Sequence, residues 1–203
     1  VLINTIIFVL IGLFGAVPFI TSQTSDAAIQ ADAIIYLQII SFLSTGSFLQ
    51  ITGERLLQAT GRTMLSMISQ IVGAVANIIL DPIMIFGLLG FSKLGVAGAA
   101  YATVIGQFIA AAVGLFLNVK YNKEIHLSIQ QILHPRMRII KPIYFIAIPS
   151  ILMVSIGSVM TYAMNIILIA FSTTATAVFG VYFKLQSFFF LPVFGLNNGL
   201  IPV

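Results

Sequence analysis

The residue most clearly suited to a chemical role in this sequence is Asp81, because it is an acid inside an apolar segment. The run from Met64 to Leu89 is long and apolar enough to cross a bilayer, and Asp81 is its only ionisable residue. An acid within a membrane span is costly and usually marks an ion or proton path. Asp81 therefore predicts an ion site, and the alternative is a carboxylate near a helix end that reaches the headgroups.

The side chain of Asn77 and the backbone carbonyl of Ile78 offer further oxygen atoms near Asp81. Asn77 precedes Asp81 by four residues, so a helix places the amide and the carboxyl on one face. Pro82 lacks a backbone N–H and leaves the carbonyl of Ile78 without its helical donor. A carboxyl beside neutral oxygens can hold a proton or a hard cation such as Na⁺, and the residues do not choose between these two ions.

The composition excludes several classes of protein. Hydrophobic residues make up 60% of the chain and charged residues 7%, whereas about a quarter of an average soluble domain is charged. Without cysteine, the chain has no disulfide, thiolate zinc site or iron–sulfur cluster. The sequence also lacks a phosphate-binding glycine loop and a nucleophile–base pairing, so we expect neither an enzyme nor a cofactor.

Six apolar segments are each about twenty residues or longer and can span a bilayer. Their predicted bounds are Val1–Ile20, Ala33–Thr52, Met64–Leu89, Gly95–Val119, Ile143–Phe171 and Ala175–Val203. The chain lacks an initiating methionine and both its ends lie in apolar runs, so we expect a fragment of a longer protein.

The basic residues predict the orientation of these spans. If the loop of residues 53–63 is cytosolic, the loop of residues 120–142 is cytosolic too, and together they hold seven of the nine lysines and arginines. This arrangement satisfies the positive-inside rule, and the opposite one violates it. The basic loops also explain the net charge of +4, so no nucleic-acid partner is needed.

Small residues recur every four positions along the fourth span. At this spacing they let two helix backbones approach closely in lipid, so we interpret the face as a packing surface. Its residues are Ala102, Gly106, Ala110 and Gly114.

Several segments resemble one transporter family. Asn77–Pro82 and Gly95–Thr103 resemble the fifth and sixth helices of the multidrug and toxic compound extrusion (MATE) family. Gln58–Arg62 is similar to the junction before that fifth helix, and Tyr182–Gln186 and Pro192–Gly199 are similar to the eighth helix of the bacterial multidrug-export branch. The resemblance covers about helices three to eight of twelve and implies an all-α polytopic membrane protein with two lobes.

The resemblance also implies a domain organisation and a cation site. Residues 1–119 would be the last four helices of the N-terminal lobe, 120–142 a cytosolic inter-lobe loop and 143–203 the first two helices of the C-terminal lobe. The family's coupling-cation residues correspond to Asp81, Asn77 and Thr103. A glutamate that another branch places on the seventh helix has no counterpart between Pro149 and Ser158. Asp81 is therefore the stronger candidate for the ion site.

Four residues of the last two spans are candidates for a substrate cavity. Lys184 lies about two and a half turns into its span, too deep to reach the headgroups comfortably. Its alternative role is a lysine in a watery vestibule. Gln186 and Tyr162 are polar side chains that tend to face a bundle interior, and Met160 offers an adaptable apolar surface. Contact with lipid or another helix is the alternative for these three.

The function implied is secondary active efflux of lipophilic or cationic compounds by antiport with H⁺ or Na⁺. We expect a multi-pass protein of the bacterial inner membrane, in contact with the lipid bilayer and monomeric when full length. Two alternatives remain: a lipid-linked oligosaccharide flippase of the same superfamily, which would need several cationic cavity residues, and a non-transporting membrane scaffold.

Overall fold

The structure, a computed structural model, describes residues 1–24, 26–90, 92–124 and 137–200. This part of the chain contains seven α-helices and no strand, which confirms the predicted all-helical class. The helices are α1 (Leu2–Gln23), α2 (Ala27–Phe42), α3 (Thr45–Ala59), α4 (Thr63–Phe86), α5 (Val96–Tyr121), α6 (Met137–Phe171) and α7 (Thr173–Leu200), with a 3-10 turn at Leu88–Gly90.

The helices are consistent with about six membrane spans. Among the described residues, α1, α4, α5, α6 and α7 are each long and apolar enough to cross a membrane, and α2 with α3 forms a sixth, broken span. The chain is therefore a multi-pass membrane protein, as its hydropathy predicts.

The second span differs from the single helix predicted over Ala33–Thr52. It consists of α2 and α3, which are bent by 52° relative to each other. At the break, the N–H of Ser44 donates to the Ser41 carbonyl and the N–H of Gly46 donates to the Leu43 carbonyl, three residues back instead of four. This tighter pattern turns the chain and ends one helix before the next begins.

The third span ends earlier than predicted. We expected it to reach Leu89, but α4 ends at Phe86, although it continues through Pro82. Gly87 adopts the left-handed conformation with φ 74°, which favours glycine and closes a helix. Leu89 then lies in the 3-10 turn, also with a positive φ of 56°.

The described chain divides into two compact units, one built from α1–α5 and the other from α6 and α7. In the first unit, α5 packs against α2, α3 and α4, and α1 packs mainly against α2. In the second unit, α6 packs against α7. The assignment of lobes to residues 1–119 and 143–203 stays a prediction.

Part of the predicted inter-lobe loop lies outside the described residues. Both histidines, His126 and His134, belong to that part. Residues 201–203 of the predicted sixth span also lie outside the described residues.

One of the closest helix contacts in the first unit joins α4 to α5. A Cβ atom added at Gly98 would lie 2.4 Å from the carbonyl oxygen of Met84, and one at Gly73 would lie 2.6 Å from the Cβ of Ala110. Glycine at these two positions lets the helices approach this closely, because any other residue would place a Cβ atom against the neighbouring helix. The predicted small-residue face of α5 is confirmed as a buried packing surface, since all four of its members are buried: Ala102, Gly106, Ala110 and Gly114.

Gly98→Ala should therefore destabilise the first unit. The added methyl group would collide with the backbone of α4, which cannot rotate away as a side chain can, so we expect a cost of about 1–3 kcal/mol. The measurement is thermal unfolding of the detergent-solubilised protein. Gly157→Ala on α6 is the matched control, because no other atom of the described residues lies within 4 Å of its added Cβ. Equal melting temperatures for the two variants would contradict the close α4–α5 contact.

Candidate cation site

Asn77 and Asp81 form a hydrogen-bonded pair on α4. The Nδ2 of Asn77 donates to the Oδ1 of Asp81 over 3.3 Å, and both side chains are partly buried. The four-residue spacing accounts for this pairing, because side chains one helical turn apart lie on the same face. The predicted shared face is thus confirmed, and cation binding stays a prediction.

The backbone of α5 passes directly beside Asn77. A Cβ atom at Gly106 would lie 3.2 Å from the Cβ of Asn77 and 3.0 Å from the carbonyl oxygen of Gly73. Because α5 carries no side chain at this point, it covers the Asn77 end of the pair at close range. Asp81 lies one turn further along α4, towards the helix C-terminus at Phe86.

Thr103 lies at the level of this pair on α5. Gly98 contacts Met84 and Gly106 contacts Asn77, so the two helices are antiparallel and Thr103 lies at a height between Asn77 and Asp81. Its Oγ1 donates to the carbonyl of Ala99, one turn earlier in its own helix, over 2.9 Å. The hydroxyl proton is therefore used locally, and the oxygen lone pairs remain available to a cation.

Comparisons with known proteins identify the family. The MatE family model matches residues 1–83. Over 169 residues the chain is 32% identical to the multidrug export protein MepA of Staphylococcus haemolyticus (strain JCSC1435), which covers 83% of this chain and 36% of that protein. MepA of Staphylococcus aureus (strain MSSA476) is 30% identical over 168 residues, with the same coverage of 83% and 36%. This chain belongs to the MATE family.

The match to the MATE family has defined limits. The matched range of the family model includes Asn77 and Asp81 and ends before Thr103. The chain spans about a third of the length of the curated relatives it matches (36%). No solved structure matches the chain significantly.

A second polar group, which the sequence analysis missed, lies at the other end of α5. Asn118 and Asn122 are each only 1% exposed. The Nδ2 of Asn118 donates to the carbonyls of Gly53 and Gly114, each over 2.8 Å. The Nδ2 of Asn122 donates to Oγ1 of Thr60 over 3.0 Å and to Oδ1 of Asn118 over 3.2 Å. The signal was available, because two asparagines four residues apart near the end of an apolar span share a face.

Three more hydrogen bonds tie α3, α4 and α5 together. Ser69 on α4 donates to the carbonyl of Ala110 over 2.7 Å. Arg62, just before α4, donates to the carbonyl of Tyr121 at the end of α5. These bonds, with a third between Ser47 on α3 and Gln107 on α5, add directional contacts to the close packing at the glycines.

The four predicted cavity residues of this MATE chain all lie in the second unit. Lys184 and Gln186 on α7 are exposed, as is Met160 on α6, whereas Tyr162 on α6 is partly buried. Residues two apart on a helix point in different directions, so neither the pair on α6 nor the pair on α7 shares a face. Their role in a substrate cavity stays a prediction.

Asn118→Ala should destabilise the protein because it removes the donor to the Gly53 carbonyl and the acceptor for Asn122. A buried group left without its partner costs about 1–3 kcal/mol, so we expect a clearly lower melting temperature in detergent. Asn165→Ala on α6 is the matched control, since Asn165 is only partly buried. A loss no larger than that of the control would show that the amide group does not hold α3 to α5.

Proposed function

We propose that this MATE protein exports cationic or amphipathic compounds by antiport with an inwardly moving cation. The observation that carries the proposal is the Asn77–Asp81 hydrogen bond inside α4, a helix apolar enough to span a membrane. A carboxyl held by an amide within such a helix gives an ion a negatively charged partner among mostly apolar residues.

The relatives support export as the direction of transport. The proteins from Staphylococcus haemolyticus and Staphylococcus aureus carry the name multidrug export protein. We propose the same activity for the protein containing this chain, with lipophilic cations as substrates. Its location would be the bacterial inner membrane, with the loops of residues 53–63 and 120–142 in the cytosol.

The proposed mechanism depends on the charge of Asp81. With no ion bound, the carboxylate is an uncompensated charge within the span, which favours a conformation that hydrates it. When a proton or Na⁺ binds, the charge is compensated and the helices can close around the site. Asn77 holds the carboxylate in position in both states, and the lone pairs of Thr103 would complete the oxygen set for Na⁺.

The two alternatives are less well supported. A flippase for a lipid-linked oligosaccharide would need several cationic residues facing its cavity to bind pyrophosphate, and Lys184 is the one base inside a predicted span. A scaffold without transport activity would gain nothing from the cost of keeping Asp81 within an apolar helix.

Asp81→Asn should abolish efflux while leaving insertion into the membrane intact. The amide has nearly the shape of the carboxyl and cannot take up a proton or compensate a cation, so the transport cycle would stop. The measurement is the initial rate of dye efflux from cells that express equal amounts of each full-length protein. Asp32→Asn is the matched control, because it makes the same chemical change at an exposed aspartate of α2.

Efflux by Asp81→Asn at the wild-type rate would contradict the mechanism. If neither wild type nor control exported dye, the flippase would become the better hypothesis.

The coupling ion can be determined in proteoliposomes. An imposed proton gradient and an imposed Na⁺ gradient should drive dye transport to different extents, and the effective gradient identifies the ion. Asp81→Asn should respond to neither gradient. If the variant still responded to the effective gradient, the coupling ion would bind elsewhere.

A further inference from the structure

Gln107 links the helix of the candidate cation site to the broken span. It follows Thr103 by four residues on α5, so both side chains lie on the same face. Its Oε1 accepts a hydrogen bond from Oγ of Ser47 over 2.5 Å, at the short end of the range for hydroxyl donors. Ser47 belongs to the first turn of α3, directly after the break between α2 and α3. The link therefore joins the level of the cation site to the start of α3.

A second contact holds the same turn of α3 against α5. A Cβ atom at Gly46 would lie 3.0 Å from the ring of Phe108, so the backbone of α3 rests on that ring. The hydrogen bond at Gln107 and this contact at Phe108 involve adjacent residues on both helices. The first turn of α3 should consequently move with the middle of α5.

The break itself contains a polar group that this conformation leaves unsatisfied. Ser44 is 4% exposed, and its Oγ has no hydrogen-bond partner among the described residues. A buried hydroxyl without a partner is unfavourable, so a conformation that gives Oγ a partner is favoured at this position. Ser44 is the residue at which the chain turns from α2 into α3, and a change in the bend angle would alter its surroundings.

We propose that Gln107 is a positioning residue that transmits the ion state of Asp81 to the bend between α2 and α3. This inference rests on the proposed function, since it requires an ion that binds at Asp81. Binding of the ion changes the contact of Asn77 with the α5 backbone at Gly106, and α5 shifts with its neighbour. The hydrogen bond from Ser47 to Gln107 carries this shift into the first turn of α3.

The bend angle can be measured independently of transport. Spin labels at Ile35 on α2 and Ile51 on α3, both exposed, lie on opposite sides of the break. Their distance, measured in the full-length protein with and without the coupling ion, reports the angle. We expect the distance in the wild type to change with the ion and the distance in Asp81→Asn to stay fixed.

Gln107→Leu should uncouple the bend from the ion. The distance between the labels should no longer follow the ion, and the ion dependence of efflux should flatten. Gln70→Leu is the matched control, because Gln70 is an exposed glutamine that donates to Ser66 on its own helix. Should Gln107→Leu not fold, Ser47→Ala removes the same hydrogen bond from the other side, and Ser47→Thr keeps the hydroxyl and should restore the coupling.

The outcomes separate this inference from the proposed function. If the wild-type distance follows the ion and the Gln107→Leu distance follows it equally, Gln107 has no transmitting role and the inference is wrong, while ion-coupled export stands. If the distance between the labels in the wild type is the same with and without the ion, the inference is also overturned. In that case, efflux by Asp81→Asn decides the proposed function separately, because normal efflux in this variant contradicts it.

Discussion

The close approach of α4 and α5 is the constraint on which the first unit depends. An added Cβ atom would lie 2.6 Å from α5 at Gly73 and 2.4 Å from α4 at Gly98, and one at Gly106 would lie 3.0 Å from the Gly73 carbonyl oxygen. In lipid, apolar side chains gain little by meeting one another, so helices associate through such packing and through hydrogen bonds between them. The same contact sets the antiparallel register that puts Thr103 at the level of Asn77 and Asp81.

Polar side chains also hold the helices of the first unit together, through hydrogen bonds. Hydrogen bonds between side chains and carbonyls connect α3 to α5 at Asn118 and α4 to α5 at Ser69. Each uses a backbone carbonyl as the acceptor, and a carbonyl has a lone pair to spare beyond its helical bond. The packing of α1 against α2 instead includes a steric contact. An added Cβ atom at Gly12 would lie 2.4 Å from the side chain of Ser41. Helices α3, α4 and α5 thus have directional bonds to one another as well as packing.

This arrangement matters for the proposed transport because the candidate cation site lies at the closely packed interface of α4 and α5. In the proposed mechanism, the charge of Asp81 changes on helices whose backbones are in contact, and packed interfaces shift between discrete arrangements instead of deforming continuously. The bend between α2 and α3 lies one element away, connected through Ser47 and Gln107. The candidate cation site and the broken span thus lie in one compact unit, as the proposed ion-driven conformational change requires.

The sequence alone determined the all-helical membrane class, the approximate spans and the shared face of Asn77 and Asp81. These features follow from hydropathy over about twenty residues and from helical periodicity, which are local properties. The small residues of α5 were recognised for the same reason, since a four-residue repeat marks one face. The stop at Gly87 and the break at Ser44 were missed, although the glycines beside them were visible, because apolar length does not show where a helix turns.

Only the tertiary structure decided which helices these faces meet. The contact of Gly106 with Asn77, the height of Thr103 and the partners of Asn118 and Gln107 all join residues that are far apart in the chain. Such pairs depend on how helices pack, and many apolar faces are equally compatible with lipid or with another helix when considered singly. The sequence therefore determined the approximate spans and the acid that one of them carries. The packing of α3, α4 and α5 decided which groups surround that acid, because contacts across helices are fixed by backbone approach and hydrogen-bond satisfaction in three dimensions.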